Sequence, residues 1–198
     1  MRAAKCLLCG VLACAIVPAY ASGGYLGIGY GMGSSMDAAA NVEAHAGPGG
    51  VITYNKSRPA FSVLAGYQFN RYVAAELQYV DFGTYSVNQT AVWGTYNEVD
   101  TINAASAAAV GTWPITRMFS VFAKLGLAIS ADKAEVASYD SSTTTATGVM
   151  FGAGGAVNFT RHIALRLEYD QYDGVGNNHY EYTAGPFTQV AASVLYMF

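Results

Sequence analysis

Few side chains in this 198-residue chain could do chemistry, and the first candidates are its three histidines, His45, His162 and His179. No two are close enough in sequence to indicate a metal site. None has the His-x-Ser spacing that would pair a nucleophile with its base. The segment His179-Tyr180-Glu181 combines a histidine with a carboxylate, but a solvated loop accounts for it better than catalysis. We therefore expect no enzyme activity, no bound metal and no cofactor.

The second candidates are four charged residues of both signs within largely apolar segments: Glu76, Lys124, Arg166 and Glu168. Their chemistry would be ion pairing. The pairs could form a fixed polar plug or a gate whose pairing switches to open a narrow pore. Which of these applies depends on the segments that carry them.

One such segment, residues 61–83 with the sequence FSVLAGYQFNRYVAAELQYVDFG, predicts a β-hairpin. Apolar residues alternate with Ser, Gly, Gln and Glu, which is the period of a strand with one apolar face. A three-residue turn at 70–72 sets Phe69 opposite Val73 and keeps both apolar sets on one face. That face could look inward in a soluble sandwich or outward into lipid.

Composition separates these two alternatives. The chain is 53% hydrophobic and only 12% charged, about half the usual charged fraction. After residue 21 no run of 18 apolar residues occurs, which excludes transmembrane helices. In lipid, only helices and closed sheets pair every backbone group. The composition therefore favours a transmembrane barrel.

Eight strands, three short turns and four long polar loops are predicted. The strands are 24–31, 61–69, 73–80, 102–113, 119–129, 149–159, 163–170 and 190–198, with the register of the fourth the least determined. The loops are 32–57, 84–100, 131–145 and 173–186. The even number of strands and their length predict an all-β, eight-stranded antiparallel up-and-down transmembrane β-barrel. In such a barrel the short turns lie in the periplasm and the long loops lie outside the cell.

Aromatic residues form two bands along these strands, as the girdles of membrane barrels do. The turn-side band is Tyr67, Phe69, Trp113, Phe119, Phe159, Tyr196 and Phe198, and the loop-side band is Tyr30, Phe61, Tyr79 and Tyr169. A soluble or lipocalin-like barrel gives no reason for two bands.

The barrel also decides where the charges point. A Lys or Arg facing lipid at mid-depth would cost about 2 to 4 kcal/mol, so Lys124 and Arg166 should face the interior. Glu76 and Glu168 share the inward phase of their strands. We expect the four to pair across the lumen.

Residues 1–21 are predicted to be a secretory signal peptide, leaving 22–198 as the barrel domain. Arg2 and Lys5 form its positive start, 6–17 its apolar core, and Ala19 and Ala21 flank a small-x-small cleavage site. An uncleaved N-terminal anchor and a lipoprotein acylated at Cys14 are the alternatives.

Cleavage would remove all three cysteines, so we expect no disulfide framework in the mature chain. Loss of Arg2 and Lys5 would change the formal charge from −3 to −5. That charge argues against nucleic-acid binding.

Three segments, GYQFNRYVAAELQYVDFG, WPITRMFSVFAKLGLAIS and IALRLEYDQY, resemble hairpins of the OmpA transmembrane-domain family. The resemblance implies an eight-stranded barrel in a Gram-negative outer membrane, with Glu76, Lys124, Arg166 and Glu168 at interior polar positions. Val110 departs from the family pattern, where a second lysine is expected. Val157 or Asn158 stands where another glutamate is expected. The peptidoglycan-binding domain of longer members has no counterpart here, so cell-wall anchoring is not expected.

These observations favour a barrel of structural or surface-interaction type. The alternatives are a narrow porin-like channel and, less favoured, a lipid-modifying enzyme. Expected partners are outer-membrane lipids and lipopolysaccharide, an extracellular ligand of the mildly acidic loops, and the outer-membrane insertion machinery. Tyr196 and Phe198 resemble the terminal aromatic signal which that machinery recognises.

Overall fold

The computed structural model describes residues 23–35, 51–54, 57–91, 94–136, 141–174 and 186–198. Within these ranges the secondary structure is β-strand joined by turns, and no helix is long and apolar enough to cross a membrane. The strands are β1 Gly23–Ser35, β2 Val51–Tyr54, β3 Ser57–Asn70, β4 Val73–Ala91, β5 Gly94–Pro114, β6 Phe119–Val136, β7 Ser141–Asn158, β8 Ile163–Asp173 and β9 Phe187–Met197.

Eight of these strands close into a barrel. The antiparallel order is β4-β3-β1-β9-β8-β7-β6-β5, and pairing of β4 with β5 completes the ring. The first and last strands of the chain, β1 and β9, are neighbours, with Tyr25 opposite Met197. The predicted eight-stranded up-and-down barrel is confirmed.

Outside the ring the structure corrects the predicted loops. β4 and β5 continue as a ladder from Thr84 opposite Thr101 to Ala91 opposite Gly94. β6 and β7 continue from Ala131 opposite Thr145. The predictions of loops at 84–100 and 131–145 were therefore wrong, and the predicted loop 32–57 contains the additional strand β2, which pairs with β4.

The reason for these errors is physical. These segments are mostly polar, so their sequence lacks the alternation of apolar and polar residues that marks the barrel strands. The Thr, Tyr and Val residues of these segments nonetheless favour extended backbone.

The first turn also differs from its prediction. Asn70, rather than Phe69, lies opposite Val73, and the register shifts between Gln68 and Asn70. The Asn70 Oδ1 accepts hydrogen bonds from the backbone N–H groups of Tyr72 at 2.8 Å and Val73 at 3.0 Å. This closes a tight Arg71-Tyr72 turn, and the bulge at Phe69 leaves that ring on the outer face.

The outer face of the barrel is apolar. Leu77, Leu125 and Leu167 are 61–63% exposed, and every aromatic residue of the two predicted bands is exposed at the outer surface. In the fourth barrel strand, β5, the inward set is Ile102, Ala104, Ser106 and Val110. This resolves the register that the sequence left open.

The interior is arranged in three layers along the barrel axis. Toward the turns lies an apolar layer of Tyr25, Leu64, Ala74, Val110, Phe122, Ala164 and Leu195. A polar layer follows on the same strands, and beyond it a second apolar layer contains Ala60, Val80, Phe82, Ile102, Ala104, Ala128, Met150, Tyr172 and Phe187. The polar groups are thus enclosed between two apolar layers.

Inward-facing glycines make room for large side chains in this narrow barrel. A Cβ on Gly66 would lie 2.1 Å from the Tyr25 ring. A Cβ on Gly154 would lie 2.5 Å from the Phe122 ring. Both rings therefore depend on a glycine in another strand.

Candidate functional site: the interior charge network

The predicted charged residues lie together in the polar layer. Glu76 projects from β4, Lys124 from β6, and Arg166 and Glu168 from β8, each at an inward, buried position of its strand. Alternation forces these positions, because the flanking residues of each strand face outward.

Lys124 is the centre of one half of the site. Its Nζ donates hydrogen bonds to Gln78 Oε1 at 2.9 Å, Asp170 Oδ2 at 2.9 Å and Glu168 Oε2 at 3.0 Å. A fourth contact, to Glu76 Oε1, is longer at 3.4 Å. Three carboxylates therefore surround one ammonium group, whose side chain is fully buried.

Arg166 is the centre of the other half. Its Nη1 and Nη2 donate to the two oxygens of Glu76 at 2.7 and 2.9 Å. This is the bidentate geometry that suits a guanidinium and a carboxylate. Its Nε donates to Glu168 Oε2 at 2.9 Å, and its guanidinium carbon lies 4.3 Å from the centre of the Phe122 ring.

Four further residues complete the network, and the sequence reasoning did not include them. Tyr25 OH donates to Glu76 Oε2 at 2.8 Å, and Ser193 Oγ donates to Glu168 Oε1 at 3.2 Å. Gln78 and Asp170 contact Lys124 and each other. We call the eight residues Tyr25, Glu76, Gln78, Lys124, Arg166, Glu168, Asp170 and Ser193 the interior charge network.

The missed residues carried a usable signal. Tyr25 is in phase with the inward glycines of β1, and Asp170 is in phase with Arg166 and Glu168 on β8. Their positions in the alternation of each strand would have predicted that they face the barrel interior. The alternation would not have shown that they meet, because the stagger of the strands around the barrel sets the level of each residue.

Three carboxylates and two cations share this layer, and their side chains are at most 4% exposed. Such a dry arrangement is tolerated only when each charge has partners, because desolvation of an unpaired ion is costly. The charged atoms of this layer are therefore enclosed by the barrel. In the described part of the chain, no group of three or more His, Cys, Asp or Glu residues could hold a metal ion.

The remaining candidates lie elsewhere. His162 sits in the third turn, with Nδ1 2.9 Å from the Met197 carbonyl oxygen. Tyr196 and Phe198 are exposed on the outer face, their rings 5.3 Å apart in an edge-to-face arrangement. Val110 is buried in the turn-side apolar layer opposite Lys124 on β6. His45, His179, Ala19 and Ala21 lie outside the described residues.

Comparison with known proteins assigns this architecture to a family. The model of the OmpA-like transmembrane domain matches residues 20–198. This chain belongs to the OmpA-like transmembrane domain family. Among curated proteins, none matched the sequence.

Solved structures similar to this OmpA-like chain are small outer membrane proteins. Neisserial surface protein A (NspA) is 14% identical, with a TM-score of 0.61 over 90% of this chain and 100% of that one. The outer membrane protein OprG of Pseudomonas aeruginosa is 12% identical, with a TM-score of 0.60 over 89% and 96%.

The N-terminal β-barrel domain of Pseudomonas aeruginosa OprF is 15% identical, with a TM-score of 0.54 over 89% of this chain and 98% of that domain. At such identities the likeness concerns the fold. The chain is thus an outer membrane β-barrel of the OmpA-like type, and what its surface does must be argued from its own residues.

Proposed function

We propose that this protein is a structural or surface-interaction barrel of a Gram-negative outer membrane, without catalytic activity. The observation that carries the proposal is that the polarity of the barrel is the reverse of that of a soluble protein. Apolar and aromatic side chains cover the outside, whereas the charged side chains of the polar layer are buried inside. The first face suits lipid, and the second holds the barrel together.

Orientation follows from the unequal ends of the barrel. Short turns at 71–72, 115–118 and 159–162 close one end and belong in the periplasm. The ladders of β4 with β5 and of β6 with β7 extend from the other end. These extended hairpins would present the surface to lipopolysaccharide and to an extracellular ligand.

Two assays on one sample test the barrel and its location. The chain is expressed in a Gram-negative host, and its envelope is separated into inner and outer membranes. We expect it in the outer membrane, cleaved near Ala21, and migrating faster on a gel before boiling than after, because a closed barrel has no free sheet edge. Recovery in the inner membrane with unchanged migration would contradict the proposal.

Surface interaction is tested by shortening the extended hairpins. Replacement of residues 84–101 by a two-residue turn removes the β4–β5 extension, together with its pairing to β2 and to residues 133–136 of β6. It keeps the ring pairs of β4 and β5 from Val73 opposite Gly111 to Asp81 opposite Asn103. The matched control shortens 131–145 between β6 and β7. If cells bind a matrix protein, lipopolysaccharide or phage through one extension, only one variant should lose binding. Equal binding by both shortened forms and the parent would exclude the extensions as the interaction surface.

The insertion machinery is the remaining proposed partner. Phe198 lies at the end of the alternating strand β9, with its backbone N–H bonded to the Gly24 carbonyl at 3.0 Å. We expect deletion of Phe198 to reduce insertion in cells far more than refolding into detergent. An equal loss in both assays would mean that Phe198 acts through stability.

The interior packing supports a closed barrel rather than a narrow pore. Apolar layers lie on both sides of the interior charge network, and an eight-stranded barrel is only wide enough for side chains to fill.

A further inference from the structure

A short sequence pattern occurs three times, once in each turn at the closed end of the barrel. The three copies are Asn70-Arg71-Tyr72-Val73, Thr116-Arg117-Met118-Phe119 and Thr160-Arg161-His162-Ile163. Each begins with a residue that has a side-chain acceptor, continues with arginine, and ends with the first residue of the next strand.

The first residue of each copy makes the same two hydrogen bonds. Asn70 Oδ1 accepts from the N–H groups of Tyr72 and Val73. Thr116 Oγ1 accepts from Met118 at 3.2 Å and Phe119 at 2.9 Å. Thr160 Oγ1 accepts from His162 at 3.1 Å and Ile163 at 2.9 Å. The side chains thus close all three turns in the same way.

Backbone contacts fix each turn to a strand outside its own hairpin. The Tyr72, Met118 and His162 carbonyls accept hydrogen bonds of 2.7 to 2.8 Å from the N–H groups of residues on β5, β7 and β9 respectively. The turns therefore form a rigid rim, on which Arg71, Arg117 and Arg161 occupy equivalent places.

Turn geometry does not require arginine at these places. Arg117 and Arg161 form no hydrogen bond or ion pair with any residue that the structure describes, and the guanidinium of Arg71 lies over its neighbour, 4.6 Å from the Tyr72 ring centre. All three side chains are exposed. Three cations are thus held at equivalent positions, and no Asp or Glu side chain of the described residues forms an ion pair with them.

The three arginines line one cavity. Its volume is about 580 Å³, and it extends from the turns to the floor formed by Tyr25, Phe122 and Arg166. No carboxylate side chain is present among its described lining residues. The charge of Arg166 is already balanced by Glu76 and Glu168, so the unbalanced charge of the cavity comes from the rim.

We infer that this turn-side vestibule, formed by Arg71, Arg117 and Arg161, is a binding site for a phosphate-bearing anion. A guanidinium presents paired N–H donors that match phosphate oxygens. All three line the same cavity, so an anion bound there would lie among three cations. Low-dielectric walls on the barrel side strengthen the attraction.

The anion could be the headgroup of an anionic phospholipid or a soluble phosphate compound. Which of these two anions reaches the site depends on the periplasmic location of the turns, which is proposed above. Binding of phosphate itself depends on the rim geometry. The inference goes beyond the structural role of the barrel, and failure of one does not imply failure of the other.

The test uses the full mature chain, refolded in octyl glucoside, a detergent without charge or phosphate. Arginine is labelled with ¹⁵N, and the Nε–Hε signals are followed by NMR during titration with pyrophosphate. We expect the signals of Arg71, Arg117 and Arg161 to shift with one shared binding constant. Each single Arg→Gln variant should bind about tenfold more weakly, since one charged hydrogen-bonding partner is lost.

The variant R71Q/R117Q/R161Q should lose saturable binding, whereas the matched control R58Q, which alters an arginine of β3 near the opposite end, should bind like the parent. Gel mobility before and after boiling is measured for every variant, so that loss of the barrel is distinguished from loss of binding. A folded parent without saturable binding, or a folded triple variant that binds equally, would overturn the inference.

The source is resolved in nanodiscs of phosphatidylcholine with and without phosphatidylglycerol. Shifts of the three signals only with phosphatidylglycerol would support a lipid headgroup as the anion. Shifts with pyrophosphate in both nanodiscs would support a soluble phosphate compound. Absence of any shift with either probe in nanodiscs would overturn the inference that this site binds an anion in a membrane.

Discussion

Two groups of cationic side chains lie at neighbouring levels of this barrel and have opposite surroundings. Lys124 and Arg166 are buried and bound by three carboxylates between them. Arg71, Arg117 and Arg161 are exposed on the turns, and no described carboxylate pairs with them. Cationic side chains thus stabilise the barrel in one layer and line the turn-side cavity in the next.

The difference shows what burial does to a charge. In the polar layer, the desolvation cost forces each cation to have partners, and the partners in turn fix the strands that carry them. At the rim, water solvates the guanidinium, so partners are not required for folding. The interior cations should therefore affect stability, and the rim cations should affect what binds.

The largest expected effect is in the interior. Arg166→Ala leaves Glu76 and Glu168 without their shortest ion pairs, and should lower the free energy of unfolding by about 3 to 5 kcal/mol if the site remains dry. The matched rim variant Arg117→Ala should leave it unchanged. Urea unfolding in lipid vesicles, followed by gel mobility, measures both. Equal destabilisation by the two variants would contradict the difference in stability proposed between the interior and the rim cations.

An intermediate loss of stability is expected where the Tyr25 ring packs over Gly66. Gly66→Ala places a methyl group against the Tyr25 ring and should displace the hydroxyl that donates to Glu76, costing about 1 to 3 kcal/mol. Gly111 is the control, because a Cβ there meets nothing within 4 Å. The same urea titration applies. A Gly111→Ala variant as unstable as Gly66→Ala would show that the loss comes from the backbone.

A smaller effect is expected from the turn closures. Thr116→Ala removes the acceptor for the Met118 and Phe119 N–H groups and should cost about 0.5 to 1.5 kcal/mol. Thr116→Ser keeps the hydroxyl and should retain most of the stability. Unfolding midpoints of the two variants decide this, and identical midpoints would mean that water replaces the Thr116 oxygen at no cost.

The same contrast explains how far the sequence could be interpreted. In β6 and β8, the apolar residues facing lipid alternate so regularly that the inward direction of Lys124, Arg166 and Glu168 could be predicted. Which inward residues meet could not, because Lys124 and Asp170 are 46 residues apart and strand stagger sets their level.

Other features lacked a periodic signal. The segment from Thr84 to Ala91 is mostly polar, so a strand there resembled a loop. The bulge at Phe69 depends on the side chain of Asn70 capturing two N–H groups, which alternation alone does not reveal. The repeated turn pattern was present in the sequence, but its convergence on one cavity required the closed ring.

The most direct test of a closed, ion-paired interior is single-channel recording on the refolded parent, with Arg166→Ala and Glu76→Ala beside it. Two apolar layers around a polar layer in which every charged side chain has an ion-pair partner predict a silent parent and silent variants that unfold earlier. Rare small openings that become more frequent in both variants would instead indicate a gate. Large, steady conductance from the parent would contradict the closed interior outright.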